Sequence, residues 1–517
     1  MPQPYDADVA IVGYGPTGVI AALTLAKHGI SCIVYERHRD IYPRARAVTV
    51  NDWTMRIFQN LGVDEPVLKQ IDPQRALRWV LYDGTELMRV EHPPSTLGIK
   101  PRFFNIYQPT METTLRECAA RHAQHLDVRY GLEVVGLEQD TDGVTVTTKD
   151  AATQEVQTSR VRYVIASDGG SSATRGMLDV KMLGDTLNVQ WIVIDCRVKR
   201  WWPDRNLLTF WSDKERPVVD IALANGNHRW ELPLKAGETE ADFATHEQIW
   251  PLLNALGVTQ DDVEIHQHAF YRHHTRMAQT WRVGNVFLAG DAAHLMPPWA
   301  GAGMQTGMRD AFDLGWKLAG VLNGKLPAAF LDTYEAERRP NAAFYTELAV
   351  QLGRIIKQEL SDEEQAALAC PPSPDAGEPP LIAPPVLTAG WLRGPLGSES
   401  IVGRMVPQPV VGDNRGVMAR LDDLLGDGFV LLGDDIDPAT QLTADEKAGW
   451  DQLGARYVAL RQQHQHTQGQ DEFIDLDGVL RQWMHKYGVR VVALRPDRFV
   501  AAADTGGLQV PQMEAQQ

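Results

Sequence analysis

A glycine-rich turn near the N-terminus constrains this 517-residue chain more than any other feature. The turn has the spacing G-x-G-x-x-G, formed by Gly13, Gly15 and Gly18. It follows an apolar run at 8–12, opens a stretch with helical spacing at 17–28, and is followed by a second apolar run at 31–35. This order of strand, glycine turn, helix and strand is a βαβ unit, and it predicts a dinucleotide-binding fold.

Each glycine meets a physical requirement of a bound pyrophosphate. Gly13 permits the tight turn, Gly15 lets the backbone come close to the phosphates, and Gly18 allows close contact between helix and strand. Pro16 and Thr17 begin the helix, whose free N–H groups and positive dipole end favour phosphate. The alternative interpretation is an ordinary glycine-rich turn.

The end of the second predicted strand supplies polar partners for a ribose. Glu36 stands 18 residues after Gly18 and is followed by Arg37. A carboxylate at this distance can accept hydrogen bonds from a ribose diol. The alternative is a surface glutamate. The turn and Glu36 together do not distinguish FAD from NAD.

Composition excludes several classes of partner. Fifty basic and 67 acidic residues give a formal net charge of -17, which argues against nucleic acid or an anionic membrane as a partner. The four cysteines are widely spaced, so neither a disulfide framework nor a metal site is expected, and a cytoplasmic location fits best. No apolar run reaches membrane-spanning length, so no membrane association is predicted.

After residue 180 the sequence changes to short alternating segments typical of an antiparallel sheet. Strands are predicted at 191–198, 206–212, 218–224, 228–234 and 263–273, with a hairpin turn at 225–227. Helices are predicted at 304–322, 328–358 and near 444–462. Eight prolines at 371–395 predict a linker before a C-terminal α/β domain.

Two later motifs carry a resemblance to a known family. Asp168 lies in ASDGGSSATR after an apolar strand, and Gly290-Asp291 opens GDAAHLMPP, which continues into GAGMQTG. Together with the first turn and with LDTYEAERRP at 331–340, they resemble the group A FAD-dependent aromatic hydroxylases, the para-hydroxybenzoate hydroxylase type. That resemblance covers about 5–358. Further segments, such as NVQWIVID and RPDRFVAA, are similar to the hydroxylases of 3-(3-hydroxyphenyl)propionate and extend it over nearly the whole chain.

The resemblance implies a domain plan. It gives an α/β, Rossmann-like FAD-binding fold with its first part at 1–180 and its second part at 276–360. An antiparallel β-sheet substrate domain is inserted at 181–275. A Pro-rich linker at 361–400 leads to a thioredoxin-like C-terminal domain at 401–517, which has no cysteine and therefore no dithiol chemistry.

The resemblance also implies contacts with FAD. Asp291 would bond the ribityl hydroxyls, and backbone N–H groups at Gly301 and Gly303 would reach the flavin pyrimidine edge, where the helix from Met304 points its positive end. Asp168 would lie near both FAD and the nicotinamide cofactor. The remaining implied contacts are Arg46, Gln108, Gly290, Pro298 and Gln305. Arg44 is an alternative to Arg46, and a surface salt bridge is the alternative role for either.

The implied reaction uses NADH or NADPH, a choice that the sequence leaves open, and O2. It hydroxylates a phenol ortho to its hydroxyl through a flavin C4a-hydroperoxide and gives a catechol. The candidate catalytic partners of the phenol are Asp52, Tyr271, His273 and His294. Each has a plain alternative, since Asp52 can cap a helix, Tyr271 can pack in the sheet and His294 can hold its loop. A homodimer is the oligomeric form considered.

The substrate is the least constrained part of the resemblance. A short carboxylate side chain meta to the hydroxyl is expected, with Arg205, Arg216 and Arg272 as candidate cations. However, Met304-Gln305 replaces an expected Tyr-Asn, and Pro298-Trp299-Ala300 replaces Val-Trp-Gln, so the cavity border differs. The alternatives are a hydroxylase of a larger polycyclic phenol, an epoxidase or halogenase on the same scaffold, and a non-enzymatic FAD-binding regulatory protein.

Overall fold

The computed structural model describes residues 4–361, 363–364, 385–463, 465, 467 and 469–512, apart from the side chain of Asn188. Its first sheet has eight strands, in the order β17-β18-β11-β1-β2-β8, with β10 joined to β11 and β9 to β10. These strands are β1 (Ala7–Val12), β2 (Cys32–Glu36), β8 (Leu126–Tyr130), β9 (Leu132–Gln139), β10 (Val144–Asp150), β11 (Val156–Ala166), β17 (Arg282–Val283) and β18 (Val286–Leu288).

The predicted βαβ unit lies at the centre of this sheet. Strand β1 is parallel to β2 on one side and to β11 on the other. Because both faces of β1 and β2 are covered, their residues are almost entirely buried, which explains their unbroken apolar runs. The helix between them packs against a second long helix that begins at Gly303.

The helices of the described chain connect or cover the sheets. They are α1 (Pro16–Lys27), α2 (Asp52–Asn60), α3 (Asp64–Leu68), α4 (Gln108–Ala120), α5 (Ala173–Met177), α6 (His246–Asn254), α7 (Gly303–Leu322), α8 (Thr333–Ile356), α9 (Leu421–Leu425), α10 (Ala444–Gln452) and α11 (Val479–Lys486). None of them is both long and apolar enough to span a bilayer.

The second sheet also has eight strands, in the order β19-β16-β12-β15-β14-β13-β5-β6. They are β5 (Ala76–Val80), β6 (Glu86–Glu91), β12 (Met182–Val198), β13 (Leu208–Trp211), β14 (Val218–Leu223), β15 (Asn227–Pro233), β16 (Val263–Ala278) and β19 (His294–Leu295). The hairpin predicted at 225–227 joins β14 to β15. Strands β12 and β16 extend well beyond their predicted bounds, and β5 and β6 join the sheet from a much earlier part of the chain.

A small third sheet, β3 (Thr49–Asn51), β4 (Asp72–Gln74) and β7 (Phe103–Asn105), lies in the order β3-β7-β4. A seven-stranded sheet forms the C-terminal domain, in the order β21-β20-β24-β23-β22-β25-β26. Its strands are β20 (Val410–Gly412), β21 (Met418–Arg420), β22 (Val430–Asp434), β23 (Arg456–Arg461), β24 (Glu472–Asp475), β25 (Val491–Leu494) and β26 (Val500–Ala503).

One predicted helix is wrong in its second half. The helix predicted near 444–462 ends at Gln452, and 456–461 form β23. Gly454, in the left-handed region with φ +70°, stops the helix, and the apolar run that follows pairs with β22. Most of the proline-rich stretch at 371–395 lies outside the described residues, and 385–395 is irregular apart from a single bridge at Val386.

Candidate active site

The turn between β1 and α1 has the geometry of a phosphate-binding turn. Gly13 has φ +92°, and a Cβ there would lie 2.5 Å from the Ser167 carbonyl oxygen. A Cβ on Gly18 would lie 2.0 Å from the Gly13 carbonyl oxygen, so helix and turn are packed too closely for a side chain. A Cβ on Gly15 would meet no protein atom within 4 Å. Gly15 therefore faces open space, beside Pro16 and Thr17 at the helix N-terminus.

A cleft runs from this turn along the end of β2. Glu36 lines it, and its carboxylate accepts hydrogen bonds from the backbone N–H groups of Tyr14 (2.8 Å) and His38 (2.9 Å). Arg37 and Asp168 line the same cleft. Asp168 accepts hydrogen bonds from Ser172 Oγ (2.5 Å) and the Thr174 N–H (3.0 Å), so it also fixes the loop that precedes α5.

The cleft continues into a cavity of about 270 Å³ between the N-terminus of α7 and the second sheet. Gly15, Pro16, Arg46 and Gln108 line both spaces. The side of the cavity nearest α7 is lined by Thr17, Asp291, Pro298, Gly301, Gly303 and Met304. Ten predicted cofactor residues thus line the cavity, and Glu36, Arg37 and Asp168 line the cleft that continues from it.

Two backbone features shape the α7 end of the cavity. Gly301 has φ +58°, and a Cβ there would lie 2.6 Å from Thr49 Oγ1, so only glycine fits this bend. The bend directs the chain into α7, whose first residues face the cavity with their free N–H groups. Gln108 Oε1 accepts hydrogen bonds from the N–H groups of Arg46 and Ala47, both at 2.9 Å, and so orders the opposite wall.

The predicted cofactor residues Gly13, Gly18, Gly290 and Gln305 lie outside the set that lines the cavity. Gly13 and Gly18 shape the first turn, and a Cβ on Gly290 would lie 2.6 Å from Thr17 Oγ1. Gln305 Oε1 accepts hydrogen bonds from the Asn51 N–H and from Thr54 Oγ1, both at 2.8 Å. In this structure their contacts hold the walls in place.

The four predicted phenol partners are also not among the described residues that line the cavity. Asp52 is buried at the start of α2, where it accepts hydrogen bonds from Ser95 Oγ (2.7 Å) and the Trp53 N–H. Burial raises its pKa, while Ser95 and Arg102 oppose that rise. The helix cap itself is Asn51, whose side chain accepts the Thr54 N–H.

His294 is held in a buried ion-pair network. Its Nε2 lies 2.6 Å from Asp310 Oδ2, and Arg338 Nε donates to Asp310 Oδ1 at 2.9 Å. Burial would raise the pKa of Asp310, but His294 and Arg338 together lower it. The Gly290 N–H also donates to Asp310, at 3.2 Å. The network thus joins the G-D motif to α7 and α8.

Tyr271 and His273 lie behind the wall of the cavity. The Tyr271 hydroxyl donates a hydrogen bond of 2.8 Å to Glu231 Oε2, and Glu231 lines the cavity. The His273 ring packs between Trp191 and Trp299, with centroid distances of 5.3 and 4.6 Å. Burial lowers the pKa of His273 to about 3.

Comparisons with known proteins agree with this geometry. A family model described as "FAD binding domain" matches residues 6–349, and one described as "HcaD C-terminal domain" matches residues 403–514. A 3-(3-hydroxy-phenyl)propionate/3-hydroxycinnamic acid hydroxylase of Burkholderia cenocepacia (strain HI2424) is 35% identical over 97% of this chain and 94% of that protein. The chain belongs to the FAD-dependent aromatic hydroxylases.

Other known proteins match over nearly the same length. A protein of the same name from Mycobacterium sp. (strain JLS) is 34% identical over 96% of this chain and 89% of its own. The structure of aklavinone-11 hydroxylase with FAD and aklavinone has a TM-score of 0.80 at 23% identity, covering 97% of this chain and 96% of that one. The monooxygenase PieE with FAD and substrate has a TM-score of 0.82 at 23% identity, covering 98% and 97%. At that identity the likeness shows the fold.

The residues of this hydroxylase fit FAD. The open space at Gly15 suits a pyrophosphate, and the carboxylate of Glu36 lies at the end of the cleft where a ribose would lie. Asp291 is suited to accept from ribityl hydroxyls, and the α7 N-terminus is suited to negative charge on the flavin ring. Arg46 Nη1 lies 3.8 Å from Asp291 Oδ2, so the two charges balance each other at this end.

Sequence reasoning missed the polar residues at the other end of the cavity. Gln74, His92 and Glu231 all line it. Gln74 Oε1 lies 3.2 Å from His92 Nε2, and burial lowers the pKa of His92 to about 4. The one usable signal is Glu231 itself, an acidic residue in β15, a strand whose residues are all buried. Gln74 and His92 have no pattern that marks them.

The three arginines predicted to bind a substrate carboxylate do not line the described cavity. Arg205 is buried and donates to the backbone carbonyl oxygens of Leu223 and Asn227. Arg216 pairs with Glu238, and Arg272 is exposed. Strand β16 places Arg272 on the solvent face, while the guanidinium groups of the other two candidates bind protein oxygens.

Proposed function

We propose that this chain hydroxylates a phenol ortho to its hydroxyl and forms a catechol. One O2 and one NADH or NADPH would be consumed, with one oxygen atom entering the ring and the other leaving as water. The observation that supports the proposal is the continuous space from the Gly15 turn, past the α7 N-terminus, to an aromatic wall on the second sheet. Bound FAD would supply the redox chemistry.

The residues of the chain would hold and shield the reacting groups. Trp79, Phe103, Phe210 and Trp299 form an apolar wall suited to an aromatic ring. Their bulk would exclude water from the ring. Of the phenol partners predicted from the sequence, we retain Tyr271 as a positioning residue, because its hydroxyl fixes Glu231 at the cavity surface.

Two groups of phenols are candidate substrates. The names of the relatives make 3-(3-hydroxyphenyl)propionate and 3-hydroxycinnamate the first candidates. Uncharged phenols, including larger ones, are the second, because the charged group on the sheet wall is the carboxyl of Glu231. Epoxidation, halogenation and a regulatory role remain alternatives to hydroxylation.

The test is product formation by the purified FAD-loaded protein. With NADH and then NADPH, oxygen uptake should rise on addition of a phenol, and mass spectrometry should find a catechol labelled by ¹⁸O2. Oxidation of NAD(P)H that no phenol stimulates, with no labelled product, would contradict the proposal. Chlorinated or epoxidised product would select an alternative.

We infer further that the C-terminal domain is thioredoxin-like in fold. The order β23-β22-β25-β26 supports this, with β22 and β23 parallel around α10 and an antiparallel pair β25-β26 after α11. The homodimer and the cytoplasmic location predicted from the sequence stay predictions.

A further inference from the structure

Glu231 projects from the sheet wall into the substrate end of the cavity. It lies on β15, where it pairs in register with Val219 of β14. Val219 and its strand neighbour Ile221 also line the cavity, as do Leu77 and Phe210. Glu231 is thus a carboxyl group whose neighbours on β14 are apolar, and its exposed fraction is only 7%.

The positive charge nearest Glu231 is already engaged. Arg229 donates to both oxygens of Asp195, at 2.7 and 2.9 Å, and to the carbonyl oxygen of Ala45. Its Nη1 lies 3.6 Å from Glu231 Oε1, beyond hydrogen-bond length. Two carboxylates therefore share one guanidinium, and in the ionised form the cluster carries one net negative charge.

The two oxygens of Glu231 have different roles. Oε2 accepts the Tyr271 hydroxyl, which fixes the side chain. Oε1 lies next to Arg229 without a hydrogen bond from the described residues, so it keeps the capacity to accept one from a substrate. An uncharged substrate group with an O–H or N–H can donate this hydrogen bond to Oε1, whereas a substrate carboxylate has only acceptor atoms.

We infer that Glu231 determines specificity, so that the cavity selects a phenol whose side chain is uncharged over one whose side chain carries a carboxylate. This inference rests on the proposed hydroxylation. A substrate carboxylate here would lose its water and meet the ionised carboxylate of Glu231, and both effects oppose binding. The guanidinium of Arg46, which also lines the cavity, is directed to Asp291, with Nη1 3.8 Å from Asp291 Oδ2.

The test compares three phenols of nearly equal shape: 3-(3-hydroxyphenyl)propionate, its primary amide, and 3-(3-hydroxyphenyl)propan-1-ol. For the wild-type holoenzyme, kcat/KM for catechol formation should be about tenfold or more higher for the amide and the alcohol than for the acid. Dissociation constants from the flavin absorbance change should follow the same order. A kcat/KM for the acid that equals or exceeds the neutral values would overturn the inference.

The Glu231→Gln variant tests the residue itself. It should narrow the ratio of neutral to acid kcat/KM, while Glu264→Gln, an exposed carboxylate on the same sheet, should leave the ratio unchanged. An unchanged ratio in folded, FAD-containing Glu231→Gln would overturn the inference. If that variant does not fold, Glu231→Asp, which withdraws the carboxyl from the cavity by one methylene, should narrow the ratio in part, and an unchanged ratio in the folded variant would count against Glu231.

Different results would contradict the selectivity for uncharged phenols and the hydroxylase function. Preference for the acid among hydroxylated phenols overturns the selectivity and leaves the hydroxylase function standing. The absence of hydroxylated product from all three phenols, with the FAD site loaded, overturns the proposed function and the selectivity with it.

Discussion

Single buried polar residues near the cavity take their roles from the neighbours that they contact. His294 and Asp52 are both buried, and both are occupied by partners from other segments, Asp310 and Ser95 respectively. Asp291 differs, because its side chain is partly exposed and lines the cavity. A polar residue that can bind a ligand here is therefore one whose side chain is accessible from the cavity, and burial alone does not identify such a residue.

Asp291→Ala should reduce FAD retention. The change removes a carboxylate that would accept charge-assisted hydrogen bonds from ribityl hydroxyls, worth roughly 1.5–3 kcal/mol. The FAD dissociation constant, measured by fluorescence after dialysis, should rise by about 10- to 150-fold. Asp261→Ala, in an exposed turn, is the matched control. Wild-type affinity in Asp291→Ala would contradict the assignment.

His273 should make the folded protein sensitive to acid. Its pKa is lowered to about 3, first by burial and then by Lys357 and His274. Between pH 6.5 and about 3 the unfolded chain therefore binds a proton that the folded chain does not, so stability falls as pH falls through this window. At pH 5 the loss is roughly 2 kcal/mol relative to pH 7.5.

His273→Phe should remove this part of the acid sensitivity. Urea unfolding at pH 7.5 and pH 5 should show a difference in unfolding free energy smaller by about 2 kcal/mol than in the wild type. His122→Gln, at a half-exposed site after α4, serves as the comparison. Equal pH dependence in wild type and His273→Phe would show that the ring is protonated inside the fold.

At the scale of elements, the secondary structure was predicted best where all of its signals lie close together in the sequence. The unit β1-α1-β2 was found within one or two residues of its predicted bounds, because apolar run, glycine turn and helix stop all lie within about 30 consecutive residues. The second half of the helix predicted near 444–462 was wrong because strand β23 is defined by its parallel neighbours β22 and β24. Pairing with distant strands leaves little trace in a local pattern.

The β1-α1 turn allows a contrast between two glycine substitutions. Gly15→Val should leave folding nearly unchanged, since a Cβ there meets no protein atom within 4 Å, but it should abolish FAD binding by filling the space for the pyrophosphate. Gly18→Val should destabilise the fold itself, because its Cβ would lie 2.0 Å from the Gly13 carbonyl oxygen. Circular dichroism and flavin content separate the two effects. Loss of fold in Gly15→Val, or normal flavin content with normal stability in it, would contradict the assignment.

At the scale of the whole molecule, the site is assembled from segments that the sequence does not connect. The cavity wall combines Leu77 and Trp79 of β5 with Phe210 and Glu231 of the inserted sheet. The motifs predicted the cofactor side of the cavity, because their glycines and Asp291 follow strand ends in fixed patterns. The substrate side could not be predicted, since Leu77 and Trp79 of β5 pair with Leu208 and Phe210 of β13, more than a hundred positions away in the chain.

The C-terminal domain should contribute to stability through one buried arginine. Arg495, which is fully buried, donates to Glu337 of α8 at 2.7 and 2.8 Å and to Asp497. Burial alone would raise the pKa of Glu337, but Arg495 and, after it, Lys317 lower this pKa below its usual value. Arg495→Ala would leave the Glu337 carboxylate short of a partner in the interior, at a cost of about 3–5 kcal/mol.

Chemical unfolding and flavin reduction measure the two parts of this prediction. Arg495→Ala should lower the unfolding free energy by about 3–5 kcal/mol. Arg495→Lys should recover only part of this loss, because a lysine cannot make the bidentate contact with Glu337. Arg415→Ala, at an exposed site, should change the unfolding free energy by about 1 kcal/mol or less. The rate of FAD reduction by NAD(P)H in the folded variant should stay near wild type, since Arg495 lies away from the residues that line the cavity. Stability equal to that of Arg415→Ala would show that the C-terminal domain is held by its apolar contacts, among them Trp316 with Phe429, rather than by the ion pair.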